Sequence, residues 1–139
     1  MTTAIEKQNI TTQEEAILHF IKTMDIEMIN NFLDDNLTYQ EFEKYMFISK
    51  LQNAFEQFRN FGDTKFITHA GECNTCNKGC KGISFIGNTT NNYMDIIVES
   101  AEGRIKDLYE CADFKNENTT LTKNKRIYIN KIELDDFLF

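Results

Sequence analysis

At 139 residues the chain is long enough for one domain with a sizeable core, and 41% hydrophobic with 27% charged residues is the balance of an ordinary globular protein. A formal charge of -7 and an isoelectric point near 4.8 argue against a nucleic-acid partner, which needs a basic face. The first residues hold no apolar run like a signal peptide, and no later stretch approaches the roughly 20 apolar residues of a membrane span. The expectation is therefore a cytoplasmic protein with no membrane partner, whose thiols stay reduced.

Residues 1–9 read as a loose tail of one domain spanning 1–139. Thr12-Gln-Glu-Glu15 has the form of a capping box, followed by Ala16, Ile17, Phe20, Ile21 and Met24 at helical spacing. Asp25 is a suitable N-cap for a second helix that presents Ile26, Ile29, Phe32 and Leu33 on one side. Asp34-Asp35-Asn36 ends it with turn chemistry. Residues 37–42 suit either a capped helix start or a short strand. Phe47, Leu51, Ala54, Phe55, Phe58 and Phe61 then form a long apolar stripe, stopped at Gly62.

The period changes in the second half. Residues 65–73, 82–89, 93–100 and 104–114 alternate or run β-rich, separated by a cysteine loop, an Asn-rich turn and a Glu-Gly turn. Helices first and strands after predict an α+β fold with the helices on one face of an antiparallel sheet. Residues 121–139 are an extension of open role. Residues 126–130 could add a strand, and Phe137-Leu-Phe139 is expected to pack over the sheet or against a second copy.

Three stretches carry a family resemblance: Asp25-Ile-Glu-Met-Ile-Asn-Asn-Phe-Leu-Asp-Asp-Asn-Leu-Thr-Tyr39, Ile48-Ser-Lys-Leu-Gln-Asn-Ala-Phe-Glu-Gln-Phe58 and Glu102-Gly-Arg-Ile-Lys-Asp-Leu-Tyr109. In this order they resemble the nuclear transport factor 2-like superfamily, which includes the steroid Δ-isomerases and the SnoaL-like polyketide cyclases. The resemblance implies N-terminal helices packed on a strongly curved antiparallel sheet that encloses a conical, apolar pocket. It also implies a homodimer and favours a strand at residues 37–42. Carried over residue by residue, the isomerase's oxyanion-stabilising tyrosine falls at Phe20 and its general-base aspartate at Gln40. Neither side chain can fill its role, so that activity is not expected. What remains is an apolar small-molecule-binding domain without a recognisable catalytic set, or an isomerase, cyclase or hydrolase of SnoaL-like type. Phe20, Tyr39, Gln40 and His69 are the candidate pocket residues, with His69 the candidate acid–base group.

The most distinctive segment is Cys73-Asn-Thr-Cys76-Asn-Lys-Gly-Cys80. Three sulfurs in one turn could supply most of a tetrahedral zinc site, stay as thiols, or close a disulfide. A metal- or redox-responsive module is the third functional expectation. The fourth cysteine, Cys111, is expected about seven residues down the last strand of a simple meander, roughly 20 Å from the turn at 3.3 Å per residue. That distance would exclude it as a ligand. The acids on the strands, Asp95, Glu99 and Asp107, are expected on a solvated face.

Overall fold

The computed structural model describes residues 10–74 and 80–130. The first helix, α1 (Gln13–Lys22), starts where Thr12 accepts the Glu15 N–H through its hydroxyl. The Glu15 carboxylate answers by accepting from Thr11 N at 3.2 Å and from both threonine hydroxyls, so the box is closed one residue further back than expected. Asp25 caps α2 (Ile26–Phe32) by accepting from Met28 N. The ambiguous stretch is a two-residue hairpin, β1 (Thr38–Tyr39) paired with β2 (Phe42–Glu43). Gln40 and Glu41 at its tip have φ of 52° and 68°, the left-handed pair that a tight primed turn requires.

Helix α3 (Lys44–Asn60) buries Phe47, Leu51, Ala54, Phe55 and Phe58 along the expected stripe. Phe61 does not join them. It stands just past the helix end, 55% exposed, with Lys125 Nζ 5.7 Å from its ring, because the chain turns at Gly62 (φ 106°) before the stripe can continue.

Five strands make the main sheet: β3 (Phe66–Cys73), β4 (Lys81–Gly87), β5 (Tyr93–Ala101), β6 (Arg104–Glu110) and β7 (Phe114–Asn116). All neighbours are antiparallel, in the order β6-β5-β4-β3-β7. The meander therefore holds only as far as β6. The stretch expected as one strand over 104–114 breaks after Glu110, and three residues carry the chain from one edge strand to the other, where Phe114 pairs with Cys73. So short a link between opposite edges requires the sheet to bend strongly at this corner. A register shift at Glu99/Ser100 contributes, since a bulge bends its strand and sharpens the local twist.

Alternation divides the sheet into two faces. The helix side collects Phe66, Phe85, Met94, Ile96, Val98 and Leu108 with the helices in one cluster. Phe66 stacks edge-on against Phe58 and Phe85 at centroid distances of 4.6 and 5.8 Å. Each fully buried side chain of this size contributes about 1.5–3 kcal/mol relative to exposure. The other face carries Gly71, Cys73, Gly82, Ser84, Tyr93, Asp95, Ile97, Tyr109 and Cys111. Side chains of the edge strand β7 and of the segment after it, Phe114, Asn116 and Lys123, cover part of this face. Residues 126–130 form no strand; they contribute a single parallel bridge, Tyr93 to Arg126. Beyond that bridge Ile127 and Ile129 return to the main core. No helix among the described residues is long and apolar enough to cross a membrane. The expected N-terminal tail and Phe137-Leu-Phe139 lie outside the described residues.

Candidate functional site

The four residues expected around one pocket each make contacts of their own. Phe20 packs on Phe32 between α1 and α2, ring centroids 5.4 Å apart. Tyr39 is fully buried beside Phe47. Its hydroxyl accepts from Asp34 N at 3.1 Å and donates to Asp34 O at 3.2 Å, and burial pushes its phenol up to about 12. Gln40 spans to β6. Its backbone N–H donates to Asp107 Oδ1 at 2.9 Å, its Nε2 to Glu110 Oε1 at 3.0 Å, and its Oε1 accepts from Glu110 N at 3.2 Å. His69 lies on β3 opposite Ser84, in an open cleft of about 450 Å³ that it shares with Cys80 and Glu117.

The cysteines behave differently. Cys111 Sγ lies 2.8 Å from Cys73 Sγ and donates to it. The expected separation of roughly 20 Å is thus corrected, and the cause is the bend just described. Gly71 and Gly82, directly opposed on β3 and β4, leave a bare patch on which the Phe114 ring lies. A Cβ on Gly71 would stand 2.2 Å from Phe114 Cε1, and one on Gly82 2.4 Å from Cε2. With the ring seated there, β7 can return across the sheet and bring the end of β6 with it.

Continuing the β3–β4 register one step past Glu72 and Lys81 sets Cys80 opposite Cys73, where facing Cβ atoms are about 4.5–5.5 Å apart. Cys80 is disulfide-bonded, and the Tyr109 hydroxyl approaches its Sγ at 3.9 Å. Cys76 lies outside the described residues. Burial first, then the hydrogen bond with Cys73, pushes the Cys111 thiol up. The neighbouring Tyr109 phenol is pushed up to about 12, first by burial and then by Glu99. Arg126 Nη2 donates to the Cys111 carbonyl at 2.7 Å, tying the C-terminal segment to the same corner. Among the described residues, no group of three or more His, Cys, Asp or Glu side chains stands in position to hold a metal ion.

A second polar cluster went unread in the sequence. Asp95, expected on a solvated face, is 3% exposed and paired with Lys123 at 3.1 Å. A lysine delivered from 28 residues away, with the Ser84 hydroxyl donating beside it, makes its burial tolerable. Asp107 is half-buried, and that burial raises its carboxyl above the ordinary value; Glu99 is exposed as expected.

Compared with models of known families, with curated proteins and with solved structures, the chain matches none.

Proposed function

We propose that the chain is a thiol-responsive module on a nuclear transport factor 2-like scaffold, with Cys73 and Cys111 as its redox pair. The 2.8 Å contact between sulfurs 38 positions apart carries this reading. In the step, two S–H bonds break and one S–S bond forms. Two electrons and two protons pass to a low-molecular-weight disulfide, which departs as two thiols. Closure would fasten β3 to the link between β6 and β7. Since the thiolate is the nucleophile and burial raises the Cys111 thiol, closure should quicken as the pH rises above neutral. Alkylation and peptide mapping after equilibration in graded thiol/disulfide buffers tests the idea. Cys73 and Cys111 should lose reactivity together and appear in one linked peptide pair; a Cys111 that stays alkylatable throughout sinks it.

A zinc site is the second reading, favoured by the register that sets Cys80 opposite Cys73 beside Cys111. It needs the Cys80 disulfide reduced and a fourth ligand besides these three sulfurs. Elemental analysis of protein purified with reductant and without chelator separates the two readings. About one equivalent of zinc per chain, lost in Cys111→Ser, would favour the metal; zinc-free protein with reactive thiols would leave the dithiol pair. An apolar ligand in a conical pocket has the element order and the bent sheet as its support. Against it stands the aromatic packing of Phe55, Phe58, Phe66 and Phe85 between helix and sheet.

A further inference from the structure

The sheet face away from the helices holds a cluster that the thiol chemistry does not use. Ser84 and Asp95 oppose one another on β4 and β5, 0% and 3% exposed. Lys123 enters from the segment after β7. Its Nζ lies 3.1 and 3.2 Å from the two Asp95 oxygens, 3.3 Å from Ser84 Oγ and 2.7 Å from Asn116 Oδ1. Asn116 Nδ2 donates to Ser84 Oγ at 2.9 Å and to Ala70 O at 3.3 Å. Ser84 Oγ donates in turn to Asp95 Oδ1 at 2.5 Å. The rings of Tyr93 and Phe114 stand 4.4 and 5.5 Å from the amine. The Lys123 side chain is 19% exposed, so little water competes for it.

An amine is thus held against a carboxamide, beside a carboxylate and between aromatic rings. The carboxylate touches the amine directly and reaches the amide nitrogen through one hydroxyl. Fixed proximity of this kind replaces most of the entropic cost of joining two groups, and a placed carboxylate can carry the proton. We propose that Lys123 and Asn116 become joined by an intramolecular isopeptide bond. Lys123 Nζ gives a proton to Asp95 and its lone pair attacks Asn116 Cγ. The Cγ–Nδ2 bond breaks, and Nδ2 takes the second amine proton. Ammonia leaves with the proton Asp95 had held, as ammonium, by way of Ser84, and Asp95 is again a carboxylate. No oxidant or cofactor enters the balance. The product fixes the C-terminal segment over the sheet irreversibly, independently of the state of the cysteines.

Intact mass of the full chain, reduced and denatured, decides first: the expected value is about 17 Da below the sequence mass, for one ammonia lost. The sequence mass itself would overturn the proposal, as would a loss of about 18 Da mapped to Asp95, which would make Asp95 the acceptor. A trypsin digest then separates the bond from a simple succinimide at Asn116, which loses the same mass. The crosslinked chain should resist cleavage after Lys123 and yield residues 116–125 as one peptide, whereas normal cleavage there counts against the bond. Lys123→Arg should carry its full sequence mass, and Asn116→Asp should still close, with water as the leaving group. Asp95→Asn should fold and remain open; should it fail to fold, the wild-type digest alone settles the question.

Discussion

Single residues at the bent corner act through the room they leave. Gly71→Ala would drive a methyl group into Phe114, and overpacking of this kind costs about 1–3 kcal/mol. Thermal melting should fall by several degrees in Gly71→Ala, and Phe114→Leu should recover only part of the loss, because the new Cβ meets the ring and, at 2.7 Å, the Lys115 carbonyl oxygen as well. Equal losses with and without the ring would show that the glycine serves some other purpose. Tyr39 makes a pH prediction. Its folded phenol lies near 12 against an unfolded value near 10, so it favours folding fully below pH 10 and loses that contribution as the pH climbs towards 12. Tyr39→Phe, followed by denaturant unfolding at alkaline pH, should show a shallower decline above pH 10 than the parent chain. Tyr109, with a similar value, should keep some of the slope.

At the level of elements, the helices and four long strands were legible because each satisfies its own period: Ile17, Ile21, Phe47, Leu51, Phe55 and Phe58 repeat at helical spacing and are buried. β7 was not legible. Phe114 read as the end of β6, Lys115 and Asn116 were assigned to no element, and nothing local says that the strand will end at Glu110 and the chain cross to the opposite edge. The signal was indirect, in two small residues, Gly71 and Gly82, on strands otherwise rich in larger ones. The segment after β7 was equally silent, because its polar run up to Lys125 looks like solvated loop until Asp95 is seen to need a cation. Its anchorage is measurable. Ile127, 2% exposed, packs in the main core, and Ile127→Ala should cost about 2–4 kcal/mol in equilibrium unfolding. An effect below half a kilocalorie would mean that this segment detaches without consequence for the core.

For the whole molecule, the thiol pair predicts two stabilities. A bond closing Cys73 to Cys111 restricts the unfolded chain over 38 positions, worth about 4 kcal/mol in the chain-entropy treatment. At roughly 3 °C per kcal/mol for a domain of this length, the closed form should melt on the order of 10 °C above the open one. Calorimetry on matched samples, with Cys111→Ser as the form that cannot close, checks it. Identical melting of both forms would mean that the link strains the native sheet as much as it restrains the unfolded chain.

By itself the sequence determined the α+β class, the order of the three helices and four long strands, and the apolar stripe that the long helix buries. These follow from hydrophobic period and capping, which act over a few residues. Only the tertiary structure decided which polar groups meet. Cys73 reaches Cys111 because a bent sheet brings opposite edges together, and Asp95 accepts burial because Lys123 arrives from a distant loop. Such encounters depend on the path of the chain through space, and no local pattern of residues encodes them.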